Sequence, residues 1–128
     1  ILLSSNEKVG IDLEHMSTNI GRISFKFINS KEKITKEQEK RIYHLYLHWC
    51  AKEAISKALG TGIRYSPQDL RITAIDAVTG WLQIELLGQW LEPFKQLKGR
   101  KNPIYTTLYE GHAVATCLLP ASLFEKPE

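Results

Sequence analysis

The sequence is poor in the features that would settle its class at a glance. Two cysteines in 128 residues, Cys50 in an expected helix and Cys117 in an expected strand, cannot make a disulfide framework or a zinc cluster and read as buried reduced thiols. That usage fits a reducing compartment, and a cytoplasmic location is the expectation. No apolar run approaches the roughly 18 residues that a membrane span needs, and Ile1-Leu2-Leu3-Ser4 is too short for a signal sequence. No membrane association is expected. A large imbalance of charge is missing too: the net charge is +3, with acids interleaved among the lysines, so bulk charge does not call for nucleic acid. There is no internal repeat and no low-complexity tract. Position 1 is not Met, which reads as a native polypeptide that begins earlier.

What is present is one domain's worth of chain, 43% hydrophobic, enough for a single core. Residues 1–4 and 8–14 read as strands joined by Ser5-Asn6-Glu7, and residues 19–29 as a short helix of mixed period. Thr35 with Gln38 forms a capping box. It opens a helix over about 36–59, with Ile42, Leu45, Tyr46, Trp49, Ile55 and Leu59 as its apolar stripe and Gly60 as its stop. Hairpins are expected around Val78-Thr79-Gly80 and Glu110-Gly111, a basic loop over 88–103, and a frayed tail from Pro120. The order β, α, β, β predicts an α+β fold, with one long helix laid across an antiparallel sheet. Residues 1–128 form a single domain on this reading.

Two short acidic signatures carry the chemistry. In Val9-Gly10-Ile11-Asp12-Leu13-Glu14, strand alternation sends Asp12 and Glu14 to one face beside the bare Gly10. In Trp49-Cys50-Ala51-Lys52-Glu53-Ala54-Ile55-Ser56-Lys57, helical spacing puts Glu53 and Lys57 on one stripe flanked by Lys52. Each has a bland explanation. A D-x-E on a strand commonly faces solvent, and a Glu/Lys pair four apart supports a surface helix by about 0.2–0.5 kcal/mol. In combination, three carboxylates and two lysines suit Mg²⁺ holding a diphosphate, because Mg²⁺ takes a few carboxylates plus phosphate oxygens. His44 and His48, four apart, lack the Glu of a zinc protease motif.

The V-G-I-D-L-E and W-C-A-K-E-A-I-S-K pair resembles the signature of the 4′-phosphopantetheinyl transferases, with the match strongest over residues 9–57. The resemblance implies a phosphopantetheinyl transferase-like fold and Mg²⁺-dependent transfer of phosphopantetheine from coenzyme A to a serine of an acyl or peptidyl carrier protein, releasing 3′,5′-ADP. It implies Asp12, Glu14 and Glu53 as metal ligands and Glu53 as general base. Lys52 and Lys57 would contact the diphosphate and the leaving group, with His15 a further candidate for phosphate contact. The opening resembles the C-terminal half of the surfactin-type, pseudo-dimeric enzymes, so an N-terminal half, or a second copy of the chain, is expected to complete the pocket. The competing expectation is a non-catalytic module, derived from such a transferase, that docks carrier proteins or coenzyme A. A metal nuclease fits less well, because Glu53 and Lys57 fall on a helix.

Overall fold

The computed structural model describes residues 7–16, 19–32, 34, 38–76 and 78–125. Five strands form one antiparallel sheet: β1 (Glu7–His15), β2 (Leu70–Ile75), β3 (Trp81–Leu86), β4 (Asn102–Tyr109) and β5 (His112–Pro120). Their spatial order is β1-β5-β4-β3-β2, so β1 and β2 are the two edges. Helix α1 is the single turn Ile20–Ile23, extended by a 3₁₀ turn over Ser24–Lys26. Helix α2 (Gln38–Ala58) crosses the sheet, lying mainly on β1 and β5. The α+β architecture expected from the element order is the one found. The expected strand over 1–4, its turn through Asn6 and the Thr35 cap lie outside the described residues.

Local chemistry explains the punctuation. Glu110 and Gly111 both take positive φ, 47° and 76°, as a tight turn between β4 and β5 requires. Between β2 and β3, Asp76 Oδ1 accepts from the N–H groups of Val78 and Thr79, at 3.0 and 3.2 Å. Helix α2 ends where Gly60, at φ 84°, lets Thr61 N–H return to the Ser56 carbonyl, 3.1 Å away.

The core sits between α2 and one face of the sheet: Leu45, Ala51, Ala54 and Ile55 from the helix meet Ala113, Ala115, Cys117, Ile104 and Ile84. Residues 88–103 are not the open loop expected. Two 3₁₀ turns bury Trp90 and Leu97, and Trp90 Nε1 donates to the Ser66 carbonyl at 2.7 Å. The tail is also more ordered than expected, since Ala121–Phe124 makes a 3₁₀ turn with Phe124 against Phe94.

Strand β1 alternates as expected, but its faces are the reverse of the usual hydrophobic rule. Gly10 and Asp12 face α2 and are buried, while Ile11 and Leu13 stand outward, 39% and 59% exposed. Tyr105, Leu118 and the half-exposed Trp81 continue that outward apolar surface across the sheet.

Candidate active site

The two signatures meet at the crossing of β1 and α2. Gly10 makes the crossing possible: a Cβ there would collide with the Ala54 carbonyl and the Ala58 amide of the helix backbone. The Cys50 thiol donates to the Asp12 carbonyl at 3.2 Å and lies 3.3 Å from the Ala113 carbonyl, tying the helix to both strands. Burial pushes that thiol's pKa far up, so it serves as a packed donor, not a nucleophile.

Lys57 Nζ donates to Asp12 Oδ1 at 2.7 Å, the direct link between the two signatures. The pair is asymmetric: the Asp12 side chain is 5% exposed and that of Lys57 47%. The other carboxyl oxygen of Asp12, Oδ2, is buried and has no hydrogen-bond partner among the described residues. Beside it, the Glu14 carboxyl is pushed up to about 7 by burial first, then by a hydrogen bond to Asp12 and the charges of Asp12 and Glu53, with Lys57 opposing. Glu53 is also raised, by burial and then by the Asp12 charge, again against Lys57. Lys57 is held above the usual lysine range by its bond to Asp12, with the three carboxylates reinforcing it against burial. The cluster therefore has three acids and one base, and burial together with neighbouring negative charge raises the Glu14 and Glu53 carboxyls above the usual range.

Three expectations can be set against these positions. First, among the described residues no group of three or more His, Cys, Asp or Glu side chains is gathered closely enough to hold a metal ion. Asp12 and Glu14 lie together on β1, and Glu53 on α2 acts on both through its charge. His44 and His48 likewise belong to no such group among the described residues.

Second, Lys52 does not face this cluster. Its side chain is fully buried, with Nζ 2.8 Å from Glu32 Oε1 and in contact with the Phe27 carbonyl. Burial lowers its pKa against the opposing pull of Glu32. The helix is enclosed on nearly every side, by the sheet on one flank and by the 20–32 segment on the other, so a lysine next to Glu53 in sequence enters a different environment. Third, alternation places His15 on the Ile11 and Leu13 face, exposed, its ring 5.0 Å from that of His112. It is not part of the Asp12 cluster.

Trp49, one of the expected apolar stripe of the helix, is half-buried with its ring 5.2 Å from that of Phe27. Of the basic loop, Lys101 is paired with Glu85, and Arg100 Nε donates to Asn102 Oδ1 at 2.9 Å. The buried charge that sequence reasoning missed is Glu32. Besides Lys52 it holds the Asn29 and Ile72 amides, at 2.7 and 2.6 Å, and stands 3.4 Å from His48 Nδ1. Nothing in a lysine-rich loop twenty positions before Lys52 marks it in advance.

Comparison with known proteins agrees with the fold. The model of the 4′-phosphopantetheinyl transferase superfamily matches residues 8–117, which include both signatures and all of β2 through β4. A holo-[acyl-carrier-protein] synthase of Roseobacter denitrificans is 32% identical over 120 residues, covering 81% of this chain and 85% of that protein. Among solved structures, the Chronobacterium ammoniagenes ACPS–CoA complex superposes with a TM-score of 0.65 at 20% identity, over 89% of this chain and 96% of that one. The Plasmodium yoelii acyl carrier protein synthase with ADP bound gives 0.66 at 19% identity, over 88% and 93%. These two share the fold, and the named relatives are synthases of the acyl-carrier-protein kind, not surfactin-type enzymes. With the family pattern spanning most of the chain and its two acidic signatures joined in space by Lys57 and Asp12, the chain belongs to the 4′-phosphopantetheinyl transferase superfamily.

Proposed function

We propose that this protein transfers the 4′-phosphopantetheine group of coenzyme A to a serine of an acyl or peptidyl carrier protein, releasing 3′,5′-ADP. The observation that carries the reading is the 2.7 Å contact of Lys57 with Asp12, which gathers the acids of both signatures around one solvent-reaching ammonium. Glu53, held above the usual carboxylate range, is the general base that takes the serine proton as the serine oxygen attacks phosphorus. The bond from phosphorus to the ADP oxygen breaks, and Lys57 neutralises the charge that appears there.

Mg²⁺ fits the residues present in a reduced form. Asp12 Oδ2 is buried without a hydrogen-bond partner among the described residues, and burial beside the Asp12 and Glu53 charges raises the Glu14 carboxyl, so these two carboxylates would hold the ion. Two carboxylates with phosphate oxygens and water suit a cation that dehydrates reluctantly. When bound, it supplies charge neutralisation and a template for the diphosphate. Lys52 and His15 have no part in this version of the site. A second copy of the chain, covering the outward face of Ile11, Leu13 and Tyr105, completes the coenzyme A pocket in place of a surfactin-type N-terminal half. Support comes from the exposed aliphatic face and the synthase-type relatives. Finding another fold-matched segment encoded before Ile1 would favour the half-enzyme instead.

The test is incubation of the chain with coenzyme A, Mg²⁺ and an apo carrier protein, read by the intact mass of the carrier. Gain of one phosphopantetheine that requires both coenzyme A and Mg²⁺ is expected. A carrier that binds normally yet stays unmodified would replace the enzyme with the docking module.

A further inference from the structure

A second charged region lies at the opposite edge of the sheet from Asp12. There a cavity of about 420 Å³ opens between the outer edge of β2 and α2, lined by Lys31, His48 and Arg71 through Ile75. Strand β2 changes register between Ile72 and Ala74 along this wall, the kind of irregularity that re-aims side chains beside a site.

The charges around it are unequal. Lys31 and Arg71 form no ion pair among the described residues. Of the acids nearby, Glu85 lies across from Arg71 on β3 and also pairs with Lys101, and Glu32 is already matched: Oε1 accepts from Lys52 and the Asn29 amide, and Oε2 accepts from the Ile72 amide and faces His48 Nδ1. Its carboxyl is held low, with His48 and Lys52 together overcoming burial, so it stays ionised and fully engaged. His48 is 1% exposed; its Nδ1 stands 3.4 Å from Glu32 Oε2, while Nε2 has no hydrogen-bond partner among the described residues. Buried polar groups are nearly always satisfied, and one left open on a cavity wall marks a place for a ligand atom. Burial lowers the His48 pKa against the pull of Glu32, with Lys52 and His44 the other charged or titratable groups acting on it. The neutral imidazole then offers one N–H and one acceptor nitrogen.

We propose that this cavity is an anion site, separate from the Asp12 cluster, for a phosphate monoester or carboxylate group. Lys31 and Arg71 supply its positive charge, and the His48 ring contributes one hydrogen bond. The volume is at the lower end for small-molecule pockets, room for such a group and a short attached chain but not for a folded domain.

The experiment titrates inorganic phosphate, and separately acetate, into the isotope-labelled full chain, following the backbone amides of residues 71–75 and the ring nitrogens of His48 by NMR. Saturable shifts at both places are expected. Response to phosphate alone assigns a phosphate monoester, and an equal response to acetate assigns a carboxylate. Arg71→Glu, and independently the exposed Lys31→Glu, should weaken the binding about tenfold or more, the scale of a lost charge-assisted hydrogen bond. Lys57→Ala should leave it unchanged. Absence of saturation with both anions, shifts that follow Lys57 instead, or full binding in both charge-reversed variants would overturn the proposal.

Discussion

Helix α2 carries two charged clusters, and they are built on opposite principles. Around Lys52, one acid meets one base, both side chains fully buried, and the oxygens of Glu32 are filled by Lys52 and by the Asn29 and Ile72 amides. Around Lys57, three acids share one base, which is half-exposed, and Asp12 keeps a buried oxygen without a partner. The first cluster is balanced and closed, and fastens the 27–32 segment and β2 to the helix. The second is short of positive charge and open to solvent. Five positions along one helix separate a structural lysine from a chemical one, and packing, not residue type, divides them.

Glu53→Gln gives the sharpest test of the open cluster: transfer to a carrier serine should fall by about 10²–10⁴-fold, the range for loss of a general base, with the circular dichroism spectrum unchanged. Activity at the wild-type level would remove Glu53 from the mechanism. In the closed cluster the largest effect should be on folding. Lys52→Met strands Glu32 as a buried unpaired charge and should cost about 3–5 kcal/mol in urea unfolding. A cost near zero would mean that Lys52 is free to serve phosphate after all.

Lys57→Ala should slow transfer by about 10²–10³-fold, as for one lost donor to a developing oxyanion, with a smaller loss of stability because Asp12 is left unpaired. Gly10→Ala forces β1 away from the Ala54 carbonyl and should cost about 1–3 kcal/mol or more, lowering activity in step with the displaced carboxylates. The smallest effect concerns pH. The folded chain holds the Glu14 proton up to about 7, against an ordinary value of 4.5. Folding thus gains from that proton below the ordinary value, and the gain disappears as pH rises through about 7. Unfolding free energy should decline over this window, and Glu14→Gln should flatten the decline. A parallel slope in the variant would assign it to another group.

The sequence made some of this legible and hid the rest for physical reasons. The long helix, the sheet strands from β2 to β5 and the Glu110-Gly111 turn follow from periodicity and turn chemistry, which act over short distances. Asp12 and Glu14 were correctly placed on one face, but alternation cannot say which face is inside. An all-aliphatic row of Val9, Ile11 and Leu13 points to the wrong one. For Lys52, helical spacing fixes direction around the helix without saying what covers each side. The 20–32 segment, which does the covering, has no strong period. The Glu32 pairing is long-range and leaves no local trace at all.

Gly10 fixes more than a close contact. Because main chain there rests directly on main chain, the gap between β1 and α2 is set by peptide geometry and not by how neighbouring side chains fill space. Modest remodelling of the interior, such as Ile55→Val or Leu45→Met, should therefore lower the melting temperature while the carboxylates keep their spacing. The reactive groups hang from a hard stop, and the rest of the molecule is free to drift around it.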